Sequence, residues 1–166
     1  MTIREEREDD SRAVLELNRT VFRGDYEAGL IEGLRAEQQV VVSLVAVEAD
    51  EVVGHVLFSP LWVKVEERDM NAVALAPLVV CATRQRQGIG SRLVTEGLAQ
   101  VKSKGVEAVF VLGHVEYYPR FGFSPTLAQK LTSPFQGKPQ FMALELVPGC
   151  LSGEGGSVKY PEAFGI

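Results

Sequence analysis

Gln85-Arg86-Gln87-Gly88-Ile89-Gly90 follows the apolar run Val79-Val80-Cys81 and leads into Ser91-Arg92-Leu93, so a strand passes through a short basic turn into a helix. That order of residues makes an anion site. Glycines at a helix start remove the Cβ atoms that would shield the first-turn N–H groups, and those groups, at the positive end of the helix dipole, can close on a phosphate. Arg84, Arg86 and Arg92 bring positive charge to the same stretch. The spacing excludes the two commonest phosphate cradles. A P-loop carries Lys-Ser or Lys-Thr after its last glycine, where this chain has Ser91-Arg92. The dinucleotide fingerprint has three glycines after the first strand, whereas this turn has two and lies mid-chain. What remains is Gln-x-x-Gly-x-Gly.

The elements that must position this turn can be read from periodicity. Asp10 or Ser11 can cap a first helix with Val14, Leu17 and Val21 on one face and Leu15 and Phe22 beside it, broken at Gly24-Asp25. A second helix runs from Tyr26 to about Arg35, with Leu30, Ile31 and Leu34 inward. Strands follow over residues 40–47, 52–65 and 72–81, with turns at Ala49-Asp50-Glu51 and Glu66-Glu67-Arg68-Asp69, which reads as an antiparallel meander. Pro77 lacks an N–H and must break the ladder or occupy a bulge. Ile89, Leu93, Val94, Leu98 and Val101 form the stripe of a crossover helix ending near Gly105, so residues 106–112 should pair parallel to the strand before it. Residues 124–140 read as an irregular loop able to cover a site, and residues 141–147 as a last core strand. The Gly-rich tail packs through Val158, Tyr160 and Phe164.

Composition narrows the class. With 166 residues and 46% hydrophobic content the chain is expected to form one domain, residues 1–166, with a full core. A net charge of -5 argues against nonspecific nucleic-acid binding. No apolar run approaches a membrane span and the acidic start does not resemble a signal peptide, so no membrane partner and a cytoplasmic location are expected. Glu5, Glu6, Glu8, Asp9 and Asp10 read as a solvated approach to the first helix. Cys81 and Cys150 offer neither a disulfide framework nor metal spacing, and Cys81 reads as a small buried strand residue. No cluster of His, Cys and carboxylate has ligand spacing, so no metal is expected.

At Gln85-Arg86-Gln87-Gly88-Ile89-Gly90 the chain resembles the GNAT superfamily of N-acetyltransferases, whose hallmark is Gln/Arg-x-x-Gly-x-Gly/Ala at the end of a central strand. Tyr118-Pro119-Arg120-Phe121-Gly122-Phe123 is similar to a second family block, Tyr-x-x-x-Gly-Phe after the fifth strand, and Gly54-His55-Val56-Leu57-Phe58-Ser59-Pro60 looks like a bacterial branch of predicted acetyltransferases. The likeness extends over about residues 1 to 147. Ala82 departs from it, since the family frequently has proline there. The resemblance implies an α/β (α+β) fold of the GNAT acyl-CoA N-acyltransferase type. Its central sheet would be mixed and mostly antiparallel, of about six to seven strands, with helices on both faces.

The resemblance further implies acetyl-CoA as co-substrate. Amides of Arg86, Gln87, Gly88, Ile89, Gly90 and Ser91 would hold its pyrophosphate, Gln85 would steady the loop, and the strand end at Val80 and Cys81 would line the pantetheine arm. The Val80 N–H would polarise the thioester carbonyl. Tyr118 would give its proton to the departing thiolate, although with Phe121 and Phe123 it also fits an aromatic core. The residue that takes the amine's proton stays open between His114, whose pKa suits a base, relayed water, and the weaker candidates His55 and Glu27. The expected function is acetyl transfer to a primary amine, small molecule or peptide, by direct attack in a ternary complex. A noncatalytic acyl-CoA sensor and a protein-amine acetyltransferase within a complex are the rivals. The sequence leaves the oligomeric state open, a homodimer included.

Overall fold

In the computed structural model, which describes residues 1–166, two glycines let a helix lie against a strand. The strands are β1 (Thr2–Glu5), β2 (Val42–Glu48), β3 (Glu51–Val65), β4 (Arg68–Val80), β5 (Ala108–Leu112), β6 (Phe141–Glu145) and β7 (Gly156–Lys159). The helices are α1 (Ser11–Phe22), α2 (Tyr26–Ala36), α3 (Ile89–Ser103) and the short α4 (Pro125–Gln129). The seven strands form one sheet in the order β1-β2-β3-β4-β5-β6, with β7 paired to β3. Only β4 and β5 run parallel among the registered pairs, Ala72 to Ala74 against Ala108 to Phe110, as a strand-helix-strand crossover requires. The mixed, mostly antiparallel sheet expected from the sequence is therefore present. Contacts divide the residues into two compact units, 1–59 with 76–101 and 60–75 with 102–166.

The first unit holds β1, β2, the start of β3, the end of β4, and α1 to α3. Its α3 lies so close to β3 that a Cβ on Gly97 would stand 2.3 Å from Phe58 Cε1. One on Gly54 would stand 3.0 Å from Leu93 Cδ1 and 3.3 Å from Ile89 Cγ2. Phe58, Leu93 and Val94 are fully buried there. Between β2 and β3 the register shifts at Ala46 and Val47, whose partners are Gly54 and Val52, leaving Val53 as the extra residue of a bulge.

Three readings change in this unit. Residues 2–5 form an edge strand that periodicity did not show, because four residues with charged ends carry little pattern. The acidic run is not simply solvated: Asp10 accepts from the Arg4 guanidinium at 2.6 and 3.0 Å and from the Arg7 N–H at 2.7 Å, so it caps backward rather than into α1. Phe22 is exposed, while the polar Asn18 is fully buried with its amide on the Val14 carbonyl.

The second unit holds the rest of β3 and β4 with β5, β6, β7 and α4. The stretch 124–140 is more ordered than an irregular loop: α4 forms within it, Ser124 bridges Ala143, and Thr132 bridges Ser157. Ala128 and Leu131 are fully buried. The tail residues Val158, Tyr160 and Phe164 are buried as expected. No helix is long and apolar enough to cross a membrane.

The same substitution should act with opposite signs at two helical glycines. Gly97→Ala drives a methyl into the Phe58 ring and is expected to cost about 1–3 kcal/mol, more than the helix propensity gained. Gly29→Ala in α2, with nothing within 4 Å of the new Cβ, is expected to stabilise by about 0.5–1 kcal/mol. Urea denaturation of both variants checks this, and a stabilised Gly97→Ala would show that α3 is not closely seated.

Candidate active site

The end of β4 is fastened before the turn begins. Cys81 N–H donates to the carbonyl of the bulged Val53 at 2.8 Å, and the Gln85 side-chain amide reaches back to the Val80 carbonyl at 3.0 Å. Between these ties Ala82 to Arg84 make one turn of 3-10 helix, closed by Arg84 N–H on Cys81 O at 2.9 Å. Arg86 and Gly88 both have left-handed backbone, φ 61° and 84°, so the turn needs glycine at one position and strains a side chain at the other. The first helical bond of α3 runs from Arg92 N–H to Gly88 O at 3.0 Å, so the N–H groups of residues 89–91 precede the helical ladder. Ile89 turns its side chain inward and is 5% exposed.

Charge around the turn is less concentrated than three arginines suggest. Arg84 pairs with Glu48 at 2.8 Å and Arg92 with Glu96 at 3.6 Å, while Arg86 is exposed. Cys81 is half-exposed rather than the buried strand residue expected, because β4 ends one residue earlier. The hydrogen bond with Thr83, 3.4 Å from its sulfur, holds the thiol below the ordinary range. Burial pushes the Cys150 thiol up.

This turn, at the end of a central strand, matches more than a motif. An acetyltransferase (GNAT) domain model matches residues 2–126. The uncharacterized N-acetyltransferase YhbS of Escherichia coli strain K12 is 36% identical over 166 residues, spanning 99% of this chain and 98% of its own. The chain belongs to the GNAT acetyltransferase family. Among GNAT crystal structures, that of YhbS from Escherichia coli in complex with CoA has a TM-score of 0.90 at 34% identity, covering 99% of this chain and 92% of the other. A GNAT family acetyltransferase from Brucella melitensis in complex with acetyl-CoA has a TM-score of 0.80 at 32% identity, covering 98% and 97%. The chain is thus an N-acetyltransferase by family.

The second GNAT block lies in the other unit. The Tyr118 ring is 7% exposed, edge-on to Tyr117 at 5.1 Å and to Phe123 at 5.7 Å. It rests on Gly113, where a Cβ would come within 2.3 Å of the ring. Burial, with a smaller contribution from Tyr117, raises the phenol's pKa well above its usual value. His114 is exposed, and its carbonyl accepts the N–H groups of Tyr117 and Tyr118 at 3.1 and 3.2 Å. The Arg120 guanidinium lies 4.4 Å over the Tyr117 ring. Glu27 sits half-buried in the first turn of α2. No group of three or more His, Cys, Asp and Glu is placed to hold a metal ion.

Pattern reading missed a half-buried polar chain in the first unit that ends on the buried His55. Arg35 on α2 donates to Ser11 Oγ at 2.7 Å and pairs with Glu6, just after β1. Glu6 Oε1 accepts from Ser43 Oγ at 2.5 Å, and that oxygen lies 3.0 Å from His55 Nε2 on β3. Burial works against the Glu6 charge, yet the nearby His55 imidazole, its Nε2 3.6 Å from Oε1, the Ser43 hydrogen bond and the charge of Arg35 hold its carboxyl below the usual range. Burial pushes the His55 imidazole down, against the pull of Glu6. No local signal could reveal these contacts, whose partners lie 29, 37 and 12 residues apart.

The two cysteines provide a check. Cys81 carries more thiolate at pH 8 and is reached by solvent, so iodoacetamide is expected to modify it well before Cys150. Mass spectrometry of timed samples reads the order, and equal rates would contradict the half-exposed position after β4.

Proposed function

We propose that this GNAT chain transfers the acetyl group of acetyl-CoA to a primary amine of a small molecule or peptide by direct attack in a ternary complex. The observation that carries the reading is the start of α3, where residues 89–91 present backbone before the first helical bond and Gln85 ties the turn to Val80. The bound CoA and acetyl-CoA of the two similar crystal structures support it.

In this reading the amides of Arg86, Gln87, Gly88, Ile89, Gly90 and Ser91 grip the pyrophosphate, with Arg86 adding charge. Residues Val80 and Cys81 face the pantetheine arm. β4 continues to Val80 beyond its registered pairing with β5 at Ala74, and Pro77 has no N–H to give, which suits a strand end that pairs with a ligand's amides. The Val80 N–H then stabilises negative charge growing on the thioester oxygen, so substitution of its side chain alone should change little. As the amine nitrogen bonds to the carbonyl carbon and the C–S bond breaks, Tyr118 supplies a proton to sulfur. His114, four residues before Tyr118, is the exposed candidate for taking a proton from the amine.

Acetyl-CoA at a hundredfold excess over its dissociation constant is expected to stabilise the fold by about 2.7 kcal/mol, and to slow alkylation of Cys81. Free thiol should then appear when an amine and peptide panel is added. Tyr118→Phe is expected to lower kcat roughly 10- to 100-fold at saturating acetyl-CoA with KM for acetyl-CoA unchanged. Full turnover in that variant removes Tyr118 from the chemistry. Stabilisation without thiol release from any amine would favour a noncatalytic acyl-CoA sensor, and release with peptides alone a protein-amine acetyltransferase.

A further inference from the structure

Acetyl transfer to an amine leaves one proton for which the cradle and Tyr118 provide no place. A primary amine, with a pKa of about 10, enters at neutral pH as an ammonium with three protons and leaves as an amide with one. Of the two released, one refills the Tyr118 that has protonated sulfur, and the other must reach solvent.

Hydrogen-bond counting around His55 shows an unused acceptor. Ser43 has one hydroxyl proton and gives it to Glu6 Oε1 at 2.5 Å. Its oxygen can therefore only accept at the 3.0 Å contact with His55 Nε2, so Nε2 carries the imidazole proton and Nδ1 keeps its lone pair. That Nδ1 is buried with no hydrogen-bond partner, in a residue with no exposed surface. Buried polar atoms are nearly always satisfied, so an unused basic lone pair asks for a reason. At the other end the chain is wet: Glu6, Ser11, Arg35 and Ser43, with Arg7, line an open cleft of about 440 Å³.

The position of His55 gives the lone pair a use. Gly54 faces α3, so its neighbour His55 points to the opposite side of the sheet, where Arg35 of α2 closes on Glu6. Along β3, His55 is two residues from Val53, whose carbonyl holds Cys81 next to Val80. That is about 7 Å of strand, a span that takes a short chain of waters to bridge.

Resting on the reading of the chain as an amine acetyltransferase, we propose that His55, Ser43 and Glu6 form the exit by which the acceptor's proton leaves for the cleft beside Arg35. A proton reaching His55 Nδ1 through water lets Nε2–H pass to Ser43 Oγ while the Ser43 proton moves to Glu6 Oε1. The carboxyl then releases it to solvent, and rotation of the hydroxyl and the imidazole restores the start. Only N–H and O–H bonds form and break. Glu6 from the segment after β1, Arg35 from α2 and Ser43 from β2 are the charged and polar groups facing the imidazole. Arg35 keeps Glu6 ionised between turnovers. His55 and Ser43 are positioning residues here, since they act on the amine through the proton they pass on.

The test is the pH profile of thiol release by the full chain at saturating acetyl-CoA. His55→Gln can still hydrogen-bond Ser43 but cannot take a proton. Ser43→Ala cuts the chain at a half-buried serine and leaves the histidine, which keeps the test alive if His55→Gln does not fold. Both are expected to lower kcat roughly tenfold or more at pH 7 with KM for acetyl-CoA unchanged. The deficit should close toward pH 10, where the amine arrives neutral, and Ser43→Thr should restore activity at pH 7. A deficit equal at every pH, wild-type turnover in Ser43→Ala, or a profile that moves with His114→Gln instead overturns the exit and leaves the transferase reading standing. Donor-induced stabilisation with no thiol release from the unaltered chain overturns both.

Discussion

The start of α3 can act as a cradle only if the helix is held close to β3, and that closeness depends on two absent side chains. At Gly97 a methyl would overlap the Phe58 ring, and at Gly54 it would press on Leu93 and Ile89. Interiors packed at crystal-like density transmit such displacements rather than absorb them. A shift of α3 would therefore move the amides of residues 89–91 relative to the end of β4. Cys81 is held at that end by Val53, the extra residue of the bulge, so strand and helix are both registered against β3. The proposed anion site is thus a consequence of core packing, with the charged groups of the turn adding to it.

The sequence made the local part of this legible. Gln85 to Gly90 is a turn whose conformation and chemistry are both set within a few residues, and the α3 stripe and the meander follow from period alone. The long-range part was hidden for a physical reason. Glu6 read as one of a run of solvated acids because its partners, Arg35 and Ser43, become neighbours only when the sheet and α2 assemble. β1 was missed because a short edge strand has too few residues to express alternation, and α4 because Pro125 and its neighbours carry turn composition while also suiting the first position of a helix. Arg84 and Arg92 looked like cradle charges until Glu48 and Glu96 were placed beside them.

Ion pairs, whether exposed or buried, seldom stabilise a fold as well as apolar packing would, since solvent screening or desolvation offsets much of the attraction. The chain from Arg35 to His55 is therefore poorly explained as a staple for β1, although it does tie the segment after β1, α2, β2 and β3 together. A polar network that ends in an unsatisfied imidazole nitrogen carries an added cost that a Leu or Phe at residue 55 would avoid. Such a cost is easier to account for at a place where protons must move.

The acid side of the reaction obeys a different constraint. An ordinary phenol with a pKa near 10 gives its proton to a thiolate, whose acid has a pKa near 8.5, uphill by about 2 kcal/mol. Burial raises the Tyr118 phenol further and steepens that climb. In the proposed reaction Tyr118 is therefore a poor donor to a sulfur that has already left. It acts best while the C–S bond is breaking, when the sulfur's negative charge is still growing and a donated hydrogen bond lowers the barrier as the proton moves across. The same burial keeps the phenol protonated through neutral and mildly alkaline pH, so the group is always ready as a donor. In the proposed reaction the pH dependence of turnover then comes from the amine and the groups that receive its proton rather than from the tyrosine.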